Sequence, residues 1–124
     1  MYKKLTPVLP VESIEPVLPL WESLGFKRTV EVPHGDRLGF VILQNGNVEV
    51  MYQTFESIRA DEPRIQEGKP LGACALYIEV EKLDAVRPKS AEVVVQRRTT
   101  FYGATEMIVR DPAGHVIAFA EMNA

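Results

Sequence analysis

Histidine and cysteine, on which most transition-metal centres and many nucleophilic sites depend, are nearly missing here: two histidines and one cysteine in 124 residues. A lone Cys74 excludes an internal disulfide framework and suits a reducing cytoplasm. Apolar runs longer than a strand are lacking too, which excludes a membrane-spanning helix. The opening MYKKLTPVLPV carries two lysines, but Pro7 and Pro10 break its apolar stretch, so it makes a poor signal peptide. Nor is there a strong charge of either sign. A formal net charge of −3 does not point to nucleic acid, and Arg97-Arg98 reads as a basic pair at a solvated strand end rather than a footprint. What is present is ordinary for a globular protein: 46% hydrophobic and 25% charged residues. The length fits one domain, 1–124, able to bury roughly two-thirds of its unfolded surface.

Turn chemistry and periodicity divide the chain. Leu5 to Val11 reads as a strand whose two prolines confine it to an edge or to pairing on one side. Ser13 or Glu15 opens a helix with Val17, Leu20, Trp21 and Leu24 on one stripe. Pro16 and Pro19 are tolerable only near its first turn, and Gly25 is the left-handed stop. Strands follow at Phe26 to Val32, Leu38 to Leu43 and Val48 to Gln53, with His34-Gly35-Asp36 as a loop and Asn45-Gly46 as a type I′ hairpin signal. Phe55 to Gly72 is charged and aperiodic, a connector with at most a helical turn near Ser57 to Asp61. Further strands are expected at Ala73 to Val80, at Glu92 to Arg97 and on either side of Asp111-Pro112-Ala113-Gly114, which fits a type I turn. Leu83 to Val86 has room for one or two helical turns before Pro88.

The order is βαβββ, connector, βαβββ: an internal duplication of about 50 residues per half. Modules 1–54 and 73–124 flank the connector 55–72, and GFVILQNGNVEVMYQ mirrors MIVRDPAGHVIAFAE. This α+β arrangement resembles the vicinal-oxygen-chelate superfamily, the glyoxalase/bleomycin-resistance/dioxygenase fold. The matching pieces are the helix end Trp21-Glu22-Ser23-Leu24-Gly25-Phe26, the Glu49 strand, and Tyr102-Gly103 with Val109-Arg110-Asp111-Pro112-Ala113-Gly114. The resemblance implies two βαβββ modules forming incurved mixed sheets, a ligand on the concave faces, and a homodimer whose first strand is exchanged between subunits.

Strand alternation says which residues would line that hollow. Thr6 and Val8, Glu49, Met51 and Gln53, Ala73, Ala75, Tyr77 and Glu79, and Val116, Ala118 and Ala120 face it. Leu5, Leu9, Val11, Val48, Val50, Tyr52, Leu76, Ile78, Val80, Ile117 and Phe119 face the helices. Trp21 is a core residue, and Cys74 is read as a buried, inert thiol. Arg110 shares a strand face with Glu106, the setting for a structural ion pair.

In metal-dependent relatives four positions supply ligands, and the resemblance carries these onto Thr6, Glu49, Ala75 and Ala118. Only Glu49 ligates a divalent ion well, whereas a first-row metal site needs about three such donors. His34, in a loop, and His115, after the turn, lie off the hollow. No metal and no other cofactor are expected. The resemblance is therefore closest to the metal-free bleomycin-resistance branch. It implies binding of an antibiotic-like molecule, cationic or aromatic, at Thr6, Glu49, Met51, Ala75, Tyr77, Tyr102 and Ala118, with Phe101 also near. Glu49 is either a counter-charge or a carboxylate on a wet sheet face. The alternatives are a superfamily enzyme, a lyase or isomerase with Glu49 as base or metal ligand, and a protein whose concave face serves assembly only.

Overall fold

The structure is a computed structural model that describes residues 1–68 and 71–123. Lys69, Pro70 and Ala124 lie outside the described residues, so the connector 55–72 and the end of the 73–124 module are followed only in part. The α+β architecture is the one expected. Two four-stranded mixed sheets have matching topology, β1-β4-β3-β2 and β5-β8-β7-β6.

In the first sheet β1 (Val8–Val11) lies at the edge and pairs in parallel with β4 (Val48–Thr54) alone. One-sided pairing is what its prolines demand. Leu5, expected in this strand and in the core, lies outside it and is 90% exposed. A 3-10 turn over Glu15–Val17 takes Pro16, and helix α1 (Leu18–Ser23) takes Pro19 in its first turn, where the missing N–H removes no helical bond. The helix ends in a Schellman motif. Gly25, at φ +88°, follows the cap; its N–H bonds to Glu22 O at 3.1 Å and that of Phe26 to Trp21 O at 3.0 Å. The accompanying apolar contact is Trp21 against Phe26, edge to face at 4.9 Å.

Both predicted hairpins after α1 form, each shifted by a residue. Strands β2 (Lys27–His34) and β3 (Arg37–Asn45) are joined by Gly35-Asp36 alone, so His34 ends a strand rather than sitting in a loop. The turn between β3 and β4 is Gly46-Asn47, with Asn45 still paired to Val48. Gly46 has φ +58° and Asn47 does not share a positive φ, the sign pattern of a type II′ rather than a type I′ turn. Helix α2 (Phe55–Asp61) then begins directly on Thr54, whose Oγ1 accepts the Ser57 N–H at 3.1 Å as an N-cap.

The second sheet contains β5 (Ala75–Val80), β6 (Glu92–Thr99), β7 (Ala104–Arg110) and β8 (Val116–Met122). Its module has only the 3-10 turn Leu83–Ala85 where the first has α1. The Asp111-Pro112-Ala113-Gly114 turn closes with Gly114 N to Asp111 O at 3.0 Å. The Asp111 carboxylate also accepts the Ala113 and His115 N–H groups, each at 2.9 Å.

The apolar faces of the two sheets share one core. Leu9, Val11, Val50 and Tyr52 from the first, Met107, Val109, Ile117 and Phe119 from the second, and Trp21 and Leu83 belong to a single buried cluster. Polar groups inside it join the halves. Trp21 Nε1 donates to Tyr52 Oη at 2.9 Å, and that hydroxyl donates to Asp111 Oδ2 at 2.6 Å. Burial, then the Asp111 charge, holds the Tyr52 phenol far above its ordinary value. His115, 2% exposed, accepts the Cys74 N–H on Nδ1 at 2.9 Å, so the ring proton sits on Nε2 and reaches Pro10 O at 2.8 Å. Val48, expected to face the helices, is 45% exposed at the strand start, and Cys74 is exposed because β5 starts one residue after it. No helix among the described residues is long and apolar enough to cross a membrane.

Candidate ligand-binding site

The seven predicted site residues fall into two groups, each on the face of its sheet turned away from the shared core. Val50 and Tyr52 point into that core, so Glu49, Met51 and Gln53 point out of it; Ile117 and Phe119 point in, so Ala118 points out.

The first group surrounds Glu49 on β4. Met51 lies two residues on along the same face and pairs in register with Val8 and Ile42. Thr6, just before β1, places its Oγ1 3.5 Å from Glu49 Oε1. Lys4 reaches Oε2 at 2.8 Å. The Glu49 side chain is 11% exposed and that of Lys4 56%, so the ammonium covers a carboxylate recessed in the sheet face.

The second group surrounds a residue the sequence reading passed over as a ligand contact. Glu106 on β7 is fully buried by its immediate neighbours. Its Oε2 accepts the Tyr77 hydroxyl at 2.5 Å and also the Tyr102 hydroxyl. Its Oε1 accepts Arg98 Nε at 2.9 Å and the terminal guanidinium nitrogen at 2.8 Å. The Tyr102 and Tyr77 hydroxyls, and then Arg98, hold the Glu106 carboxyl below its ordinary value, so it is ionised. The hydrogen bond to Glu106 correspondingly raises the Tyr77 phenol.

Small residues make this cluster possible. Tyr77 sits beside Ala118 on β8, and Glu106 lies opposite Ala120 across the β7–β8 pair. A tyrosine on β5 can thus lean over β8 to reach β7. Ala120, expected to line the hollow, is fully buried. Ala75, on the same face, is exposed. Tyr77 and Tyr102 keep about half their surface, 51% and 49%, and Phe101 is fully exposed with its ring 5.1 Å from that of Tyr102.

One expectation is corrected here. Glu106 pairs with Arg98, not Arg110, because the β6–β7 register sets Arg98 directly beside it; Arg110 lies 3.8 Å from Glu92 instead. Arg98 stays exposed near the end of β6, as expected of the basic pair, while its guanidinium reaches the buried carboxylate. The sequence did hold one signal for Glu106: counting back from the Asp111 turn puts this carboxylate opposite Ala120 on an apolar hairpin. Nothing local announced Tyr77 as its partner, 29 residues earlier.

The positions corresponding to family metal ligands do not fit a metal. Thr6 and Glu49 come together, but Ala75 and Ala118 offer no donor. No group of three or more His, Cys, Asp or Glu is placed to hold an ion among the described residues. All four acceptor sites of Glu106 are occupied. Among the described residues three cavities lie between the modules, of about 500 Å³ beside Pro10, Phe55 and His115, about 740 Å³ beside Phe26, Ile78 and Phe119, and about 490 Å³ beside Val8, Gln53 and Ala73, residues expected on the hollow. None of the three is lined by any of the seven predicted residues.

No family model and no curated protein matches this sequence. Solved structures do match in shape. A glyoxalase/bleomycin resistance protein/dioxygenase family enzyme from Burkholderia phytofirmans PsJN superposes with a TM-score of 0.72 at 15% identity, covering 94% of this chain and 96% of that one. TioX from Micromonospora sp. ML1 superposes with a TM-score of 0.70 at 18% identity, covering 98% and 99%. A bleomycin-binding protein complexed with bleomycin gives 0.65 at 16% identity, covering 97% and 98%. The chain therefore has the glyoxalase/bleomycin-resistance/dioxygenase fold.

Proposed function

We propose that this chain is a metal-independent binding protein for a small, cationic or aromatic, antibiotic-like molecule. The observation that carries the reading is the Glu49 ion pair: a recessed carboxylate on a mostly apolar sheet face already holds a cation, the Lys4 ammonium. The likeness in fold to a bleomycin-binding protein supports it. The single domain, 1–124, would act as a cytoplasmic homodimer. The Glu49 and Tyr77 faces both turn from the core, so a second copy is needed to enclose a groove lined by Thr6, Glu49, Met51, Ala75, Tyr77, Tyr102 and Ala118. Exchange of the first strand fits β1, an edge strand of four residues preceded by a segment in which Met1, Tyr2 and Leu5 are at least 90% exposed. Light scattering tests the dimer; a monomer at micromolar concentration removes this groove.

A thermal-shift and calorimetric screen with bleomycin and other cationic aromatic compounds tests the ligand. A true ligand at about a hundredfold its Kd adds roughly 2.7 kcal/mol of stability. Glu49→Gln is expected to weaken a cationic ligand about tenfold, the factor equivalent to roughly 1.4 kcal/mol, with fold and dimer unchanged. Unaltered affinity would remove Glu49 as the counter-charge, and silence across a broad panel would favour a face used for assembly only. The enzyme reading, a lyase or isomerase with Glu49 as base or metal ligand, has the likeness to the Burkholderia family enzyme in its favour. Stoichiometric metal in protein purified without chelator would favour it.

A further inference from the structure

Tyr77 and Tyr102 each own one hydroxyl proton, and each gives it to the same carboxylate. A phenol that donates inward can only accept from outside. Glu106 is saturated, with two donors on each oxygen, and Arg98 balances its charge. Both tyrosines are half exposed and their proton direction is fixed from beneath. We propose that Glu106 is a positioning residue that turns Tyr77 and Tyr102 into a pair of acceptor-only oxygens, so that this face selects flat ligands carrying N–H or O–H donors and rejects equally flat ligands that carry acceptors alone.

The chemistry follows from the hydrogen-bond inventory. A ligand N–H would meet two phenolic oxygens whose own protons are engaged by Glu106, beside tyrosine faces that attract a delocalised cation. A ligand carbonyl set on those same two oxygens finds no proton to receive from them and loses hydration at that point. The Arg98 guanidinium spends two of its five N–H donors on the Glu106 carboxylate, which also balances its charge. The lowered Glu106 titration and the raised Tyr77 titration agree with this arrangement. The inference rests on the binding reading and extends it to the second module, where Glu49 has no part.

Benzamidine and acetophenone, flat probes of similar size with opposite hydrogen-bonding character, test it by NMR titration of the full chain. The expected result is that benzamidine shifts the resonances of Tyr77, Tyr102 and Glu106 at a concentration about tenfold below any effect of acetophenone there. Glu106→Gln supplies an amide that can donate to one tyrosine and free its proton to point outward, so the preference should shrink or invert. Tyr77→Phe and Tyr102→Phe, which delete the acceptors and leave the rings, should each weaken benzamidine while leaving acetophenone unchanged. They decide the matter if the Glu106 variant does not fold. Equal response to both probes, or a preference untouched by these variants, overturns the inference. If benzamidine moves resonances around Glu49 and none around Tyr77, this inference fails and the binding reading stands. If it moves neither group and no compound of the screen binds, both fail.

Discussion

The two halves of the chain share a strand topology and differ in how they treat their carboxylates and their helices. In the first module α1 carries Trp21 into the core, while Glu49 on the outer face is held by a flexible, exposed lysine and a 3.5 Å contact from Thr6. In the second a 3-10 turn carries Leu83 in the helix's place, while Glu106 is gripped by two tyrosines and an arginine. One half spends its sequence on the core and leaves its carboxylate available. The other leans on its sibling for cover and immobilises its carboxylate. Two sheets of the same topology thus present two chemically distinct faces, one with a carboxylate held by an exposed lysine and one with a carboxylate held by two tyrosines and an arginine.

The largest expected effect tests the unequal helices. Trp21→Ala removes a fully buried ring that packs on Phe26 and bonds Tyr52, and should cost about 3–5 kcal/mol; Leu83→Ala should cost about 2–5, nearer the low end. If α1 serves both sheets, urea unfolding of Trp21→Ala stays a single transition at lower midpoint. Loss of the first sheet alone would break the picture of a shared core.

A smaller effect concerns acid. Because the folded Glu106 carboxyl titrates below its ordinary value of 4.5, its contribution to stability is present above that pH and is lost as pH falls through the lower, folded value. Glu106→Gln should therefore flatten the decline in stability measured below about pH 4.5. An unchanged slope would mean that the cluster does not hold the charge in the folded protein. The smallest effect is expected at Lys4. Its ammonium is more than half exposed, so Lys4→Ala should change stability by less than about 1 kcal/mol, yet strengthen binding of a cationic ligand that competes for Glu49. Weaker binding would make Lys4 part of the site instead.

Much of the fold was legible because its causes are local. Proline at one edge strand, glycine after the Trp21 helix and the Asp-Pro-Ala-Gly turn each act through the dihedral limits of one or two residues. Period-two alternation placed Val50, Tyr52, Ile117 and Phe119 inward from the chemistry of the strand alone. The errors lie where local rules tie. Asn45-Gly46-Asn47 can centre a turn on either pair, and strand pairing chose the later one. Cys74 lies just before β5: its carbonyl accepts the Val116 N–H, its own N–H goes to the His115 ring, and its side chain is exposed.

The sequence by itself determined the order of the strands, the turns to within a residue and most of the inward set of apolar residues, since backbone sterics and hydrophobic period need no partner from afar. Only the tertiary structure decided that Glu106 meets Tyr77, Tyr102 and Arg98, and that Glu49 meets Lys4. These contacts depend on which strands become neighbours and on the small side chains of Ala118 and Ala120 between them. A hydrogen bond across a sheet, unlike a turn, is set by register and by the space the intervening strand leaves open.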